Sequence, residues 1–186
     1  MMTRQTAFNL INQYVKTKNS INHMLATEAI MRALARHLAQ DQEIWGLAGL
    51  LHDLDMELVD YEKEPEKQGA VGALMLEKMG VAQEITDAIR AHNEASGKSR
   101  DTLIEKAIYS ADPLTGLIVA STLVLPSRKL RDLKTESILN RMKEKSFARG
   151  VNRDAIRACE EFGLNLEEFI KIGLEAMREI AEELGL

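Results

Sequence analysis

The sequence predicts an all-α fold. Apolar residues recur at helical spacing along almost the whole chain, and no stretch shows the alternation of a half-buried strand. Alanine, leucine, glutamate, lysine and methionine dominate, with only 3 prolines and 11 glycines to interrupt them, which is a helix-forming mixture. A chain of 186 residues, 45% of them hydrophobic, is long enough to bury one sizeable core, so a single domain over 1–186 is expected.

The elements are expected as follows. A first helix covers 4–17, with Phe8, Ile11 and Val15 on one face. Ser20 or Asn22 caps a second, which runs to about 39 and buries Ile30, Leu34 and Leu38. Asp41 caps a third from Gln42 to Asp53, whose inward stripe is Leu47, Leu50, Leu51 and Leu54. A charged loop over 55–64 follows; Pro65 opens a fourth helix and Gly80 closes it. A fifth covers 82–92. A sixth starts at Asp101, is interrupted at Pro113 and is ended by Pro126. Helices near 135–145, 152–162 and 166–184 complete the chain, divided by Gly150 and Gly163.

Composition narrows the setting. The single cysteine, Cys159, has no internal disulfide partner and suits a reducing compartment. Residues 1–16 lack an apolar run long enough for a signal peptide, and the longest apolar stretch, LTGLIVASTLVL at 114–125, is too short to span a bilayer. A cytoplasmic protein without membrane partners is expected. The net charge of −5 argues against stable nucleic-acid binding. Charge is nevertheless uneven: residues 128–157 hold ten Lys/Arg against four Asp/Glu, whereas 159–186 hold two against eight. Either these are solvated helix faces, or the basic segment, with Arg128, Lys129, Lys145 and Arg149, faces an anionic ligand.

Chemistry concentrates in the histidines and two aspartates. His52–Asp53 closes an apolar run, where two short side chains can converge just beyond a helix end. His23 lies on the face of Thr27, Ile30 and Leu34. His37 falls near the same face but 14 residues on, about 21 Å at 1.5 Å per residue, so one metal cannot use both; it is read as a surface or helix-end residue. His92 extends the stripe Ile85, Ala88, Ile89, and Asp112 follows Ile104, Ala107, Ile108 and Ala111 in a strongly apolar helix. A carboxylate placed there calls for a cation or several donors. Together His23, His52, Asp53 and Asp112 make a mixed nitrogen–oxygen set suited to Mn²⁺, Fe²⁺, Co²⁺, Ni²⁺ or Zn²⁺, with Mg²⁺ also admissible, and with positions left for water. An open position is what metal-assisted hydrolysis requires.

The ordered set His … His-Asp … Asp, in the contexts GLLHDLD, AIRAHNE and YSADPLTG, resembles the HD superfamily of metal-dependent phosphohydrolases over at least residues 20–125. From HDLD through ADPLTGLIVAS to EAMREIAEELG, the chain is similar to bacterial stand-alone predicted HD hydrolases. The resemblance implies a five-helix HD core over about 20–126 with added C-terminal helices over about 127–186. It also implies that His23, His52, Asp53 and Asp112 are metal ligands. Members with two metals supply further histidines; His92 matches one, but Gln68 stands where a second is often found, so one metal per chain is expected. The glutamate that some members carry three residues after the ligand aspartate is Met56 here, between Asp55 and Glu57.

The implied activity is hydrolysis of a phosphate ester of a small metabolite, a nucleotide in the leading reading, by a monoesterase or diesterase. In it Asp53 ligates the metal and orients water, while His92 and the basic 128–149 segment neutralise phosphate. Two alternatives stand beside it: a non-catalytic, metal-containing regulatory or binding domain, and a diiron oxygenase, which needs more histidines than these. Self-association is left open.

Overall fold

The computed structural model describes residues 2–186 and contains α-helices and short 3₁₀ turns, with no strand among the described residues. The α-helices are α1 (Arg4–Tyr14), α2 (Lys18–His37), α3 (Gln42–Leu51), α4 (Ala70–Lys78), α5 (Gln83–His92), α6 (Leu103–Leu123), α7 (Thr135–Lys143), α8 (Arg153–Arg157), α9 (Leu166–Glu179) and α10 (Ala181–Leu184). None is long and apolar enough to cross a membrane.

Local signals set several boundaries as expected. Asp41 accepts from the backbone N–H groups of Glu43 and Ile44 and starts α3. Gly80, at φ 76°, follows α4. The sixth helix starts one residue later than the expected Asp101, because Thr102 and Glu105 form a reciprocal capping box there.

Other boundaries are set by side chains distant in sequence, and there the expectations need correction. The first helix ends at Tyr14 rather than 17 and the second begins at Lys18, upstream of Ser20 and Asn22. The cause is Glu57, whose carboxylate accepts from the backbone N–H of Lys16 and Thr17 at 2.9 and 2.8 Å, holding the connection in a bend. Pro65 opens only a 3₁₀ turn, Pro65–Lys67. The fourth helix begins later, because Asp55 accepts from Gly69 N and Gly72 N at 3.1 and 2.6 Å and caps it from across a loop. Gly69 sits at φ 77°, and a Cβ there would lie 2.7 Å from the Ile89 carbonyl oxygen, so only glycine fits this approach.

The expected interruption at Pro113 does not occur: α6 runs through it and ends before Pro126. A proline removes one intrahelical bond. Here Ile108, Ala111, Leu114, Leu117 and Ile118 are all fully buried around it, and that packing keeps the helix continuous. The 152–162 segment divides into α8 and a 3₁₀ turn, and the last helix breaks at Ile180.

Packing places α2 at the centre, against α3, α6 and α9, while α5 bridges α3, α4 and α6. One contiguous hydrophobic cluster reaches from Ala7 to Leu184, so the C-terminal helices share the core of the rest. Leu38, expected in that core, is only half-buried against it.

A close backbone approach of two helices lies beside the histidines. A Cβ on Gly49 of α3 would meet the Thr27 carbonyl oxygen of α2 at 2.8 Å and its carbon at 2.9 Å. Backbone cannot yield as a side-chain tip can, so Gly49→Ala should force α2 and α3 apart. We expect a loss of about 1–3 kcal/mol, the usual scale of overpacking, read as a lower denaturation midpoint at unchanged m. An unaltered midpoint would show that the interface has room.

Candidate metal centre

Three helix ends and one helix middle meet at one point. His52 and Asp53 lie just beyond the last residue of α3, His23 is in the second turn of α2, Asp112 is midway along α6, and His92 is the last residue of α5. His52 is completely buried and Asp53 nearly so, whereas the side chains of His23 and Asp112 keep 26% and 31% of their surface. The cluster therefore has a sealed floor and one open side.

Its geometry is that of converging donors. His23 Nε2 lies 3.1 Å from His52 Nε2, 3.1 Å from Asp112 Oδ1 and 3.6 Å from Asp53 Oδ2. His52 Nε2 lies 3.5 Å from Asp53 Oδ2 and 4.0 Å from Asp112 Oδ1. Donors at about 2.0–2.2 Å from one ion stand about 3.0–3.6 Å from each other in octahedral or tetrahedral arrangement, close to these spacings.

Hydrogen bonds on the far side of each ring fix which nitrogen faces inward. His52 Nδ1 donates to the Gly49 carbonyl at 2.8 Å and His92 Nδ1 to the Ile89 carbonyl at 2.5 Å. The Thr115 hydroxyl donates to the Asp112 carbonyl at 2.7 Å, which leaves its oxygen to accept from His23 Nδ1 at 2.8 Å. With Nδ1 as the donor, each neutral ring presents an Nε2 lone pair. Two such lone pairs, of His23 and His52, then face each other across 3.1 Å with two carboxylate oxygens alongside. A divalent cation satisfies that arrangement, and these residues fit one.

Burial works to lower the His23 pKa, but the hydrogen bond and charge of Asp112 prevail and raise it, so a proton competes with a cation for its Nε2. Burial opposes ionisation of Asp53 and Asp112, but the surrounding imidazoles outweigh it and hold both carboxyls below the usual range. Burial pushes the His52 pKa down and keeps the ring neutral. For His92 burial also works downward, yet the hydrogen bond and charge of Asp53 prevail and raise it to about 9.

The two oxygens of Asp53 face different surroundings. Oδ2 turns to His23 and His52; Oδ1 accepts from Gln68 Nε2 at 2.7 Å and lies 3.5 Å from His92 Nε2. A second ion on the His92 side would have to displace the Gln68 amide. Elemental analysis of the purified chain should therefore give about one tightly held ion; two per chain would contradict this.

A cleft of about 580 Å³ opens on the exposed side of the cluster and is bounded by His23, His92, Asp112, Gln68 and a wall from residues 150–155. The basic segment does not reach it. Arg128, Lys129, Lys145 and Arg149 are all exposed, and none lines the cleft, although Arg149 adjoins Gly150, which does. Arg128 lies beyond Leu123, the last residue of α6, which is itself about 16 Å along the helix from Asp112 at 1.5 Å per residue. His37 is likewise remote, at the end of α2 and 3.6 Å from Glu168.

Sequence reading missed several contributors. Asp55 holds the α4 start; Thr115 orients His23; and Asn93, buried, donates to the carbonyls of Pro65 and Gln68 and so fixes the Gln68 loop. The adjacency of Asp55 to the His-Asp pair and the position of Thr115 three residues after Asp112 were the available signals.

Comparison with known proteins converges on the same stretch. A family model described as the HD domain matches residues 20–117, just over half of the chain. Ribonuclease Y of Lawsonia intracellularis (strain PHE/MN1-00) is 32% identical over 100 residues, covering 54% of this chain and 19% of that protein. Ribonuclease Y of Nitratidesulfovibrio vulgaris (strain DP4) is 31% identical over 100 residues, covering 54% and 18%. The chain thus spans about a fifth of the length of these relatives. No solved structure matches it significantly.

Proposed function

The chain belongs to the HD domain family, and from that premise we propose that it is a metal-dependent phosphohydrolase acting on a phosphate ester of a small metabolite, a nucleotide above all. The observation that carries this reading is the pair of facing Nε2 lone pairs beside two ionised carboxylates, open on one side to a cleft. His23, His52, Asp53 and Asp112 would hold the ion. When bound, it supplies a Lewis acid for a phosphoryl oxygen and lowers the pKa of a coordinated water to near neutrality.

The chain's own groups account for the rest. Asp53 accepts hydrogen bonds through Oδ1 while Oδ2 faces the ligand side, so one carboxylate can orient an attacking water without leaving its place. His92 borders the cleft with Nε2 as its inward nitrogen, which in the protonated ring donates to a phosphoryl or leaving oxygen. Gln68 and Asn93 fix the loop that faces it.

A phosphodiester in RNA is the second reading, favoured by the name of the ribonuclease Y relatives. Against it stands a cleft lined by no lysine or arginine among the described residues, whereas polynucleotide binding rests on neutralising successive phosphates. Hydrolysis of p-nitrophenyl phosphate, bis-p-nitrophenyl phosphate and a single-stranded RNA by the manganese-loaded chain separates these. Cleavage of a small ester above the RNA supports the proposal; cleavage of RNA alone supports the second reading, and no cleavage of any of them refutes phosphohydrolase activity on these classes.

A further inference from the structure

The lining of the cleft also carries a polar group that the reaction just described does not use. Glu94 follows α5, Tyr109 lies on α6 and Asn152 precedes α8. Asn152 Oδ1 is occupied by the N–H groups of Asp154 and Ala155, which fixes its amide, and its Nδ2 donates to Glu94 Oε2 at 3.3 Å across 58 residues. Glu94 Oε1 has no hydrogen-bond partner among the described residues and belongs to an exposed side chain lining the cleft. Burial, reinforced by the charge of Glu94, raises the Tyr109 pKa, so its phenol stays protonated.

No lysine or arginine of the lining offsets Glu94. Among the described residues, those lining the cleft include Glu94 and Asp112 and neither lysine nor arginine. Three arginines adjoining this wall are engaged elsewhere or lie outside the lining. Arg100 stacks on Tyr109 with its guanidinium carbon 3.5 Å from the ring centre and donates through Nε to the Ala91 carbonyl. Arg153 donates to the carbonyls of Arg141, Glu144 and Phe147, and Arg149 is exposed outside the lining.

We propose that Glu94, with Tyr109 and Asn152, forms the subsite for the alcohol part of the ester and restricts the cleft to substrates with one phosphoryl group and a neutral or cationic remainder bearing N–H or O–H donors. This rests on the phosphohydrolase reading above and adds the substrate class. One phosphate meets the metal cluster and His92; further phosphates would meet the Glu94 carboxylate with no lysine or arginine of the lining to neutralise them. A nucleoside monophosphate satisfies the rule through its amino and hydroxyl groups, and a nucleoside triphosphate violates it.

The test compares AMP with ATP on the manganese-loaded full chain, by kcat/KM and by equilibrium dialysis. Wild type should favour AMP, and Glu94→Lys should narrow the AMP:ATP ratio roughly tenfold or more, chiefly through a lower KM and Kd for ATP, the scale of one charge reversal in a partly solvated cleft. Glu94→Gln, which keeps the shape, should give a smaller shift in the same direction. A wild-type preference for ATP, or a ratio unchanged in both variants at unchanged Tm, overturns the subsite. Failure of wild type to hydrolyse AMP, ATP or the nitrophenyl esters refutes the phosphohydrolase reading instead; dialysis then still decides the charge rule.

Discussion

His52→Ala is expected to lose its metal and, with it, turnover on the order of 10³-fold or more, because activity follows the metal-bound fraction. His52 is the most enclosed member of the cluster: its side chain is fully buried, Nδ1 is tied to the Gly49 carbonyl, and Nε2 faces His23, Asp53 and Asp112. Truncation also opens a cavity, which by itself lowers stability by a few kcal/mol, about 2–5 on the usual scale for large-to-small changes. Asp53→Asn separates the two effects, since it keeps the shape and removes the charge. Metal content measured on folded protein should fall in both variants, and full occupancy in His52→Ala would remove His52 from the ligand set.

The second large effect concerns His92. Its Nε2 faces Asp53 Oδ1, the oxygen already engaged by Gln68, rather than the pair of oxygens that faces His23 and His52. It also borders the cleft. His92→Ala should therefore leave metal content near wild type while turnover falls roughly 10²–10⁴-fold, the range for losing a general acid or base. A merely packed histidine would lower Tm with little change in rate per folded molecule. Loss of metal in step with activity would place His92 among the ligands. Metal content, Tm and rate on the same variant decide between these outcomes.

Helix existence was legible because it rests on periodicity, and the start at Asp41 agrees with a cap that bonds within its own turn; the sixth helix starts at Thr102, one residue after the expected Asp101. The boundaries at Lys18 and Ala70 were not, since Glu57 and Asp55 set them from 40 and 14 residues away. Pro113 misled for a related reason: local chemistry predicts a break, and the surrounding core overrides it. At the site, His23, His52, Asp53 and Asp112 could be listed together because buried polar residues on apolar stripes stand out, and the structure brings their imidazole nitrogens and carboxylate oxygens to 3.1–4.0 Å. The basic run at 128–149 stood out equally and lies elsewhere, because charge composition does not tell which way a surface segment faces. The Glu94–Asn152 wall joins residues 58 apart in sequence with no periodic or motif signal, so only the fold reveals it.

The most direct test of metal-dependent hydrolysis at this cluster is the rate of p-nitrophenyl phosphate hydrolysis by chelator-stripped protein as Mn²⁺ is added back. The ligand set predicts no activity in the stripped chain and a rise that saturates at about one equivalent, in line with a single mixed nitrogen–oxygen centre. Undiminished activity after stripping, with metal shown to be absent, would contradict it.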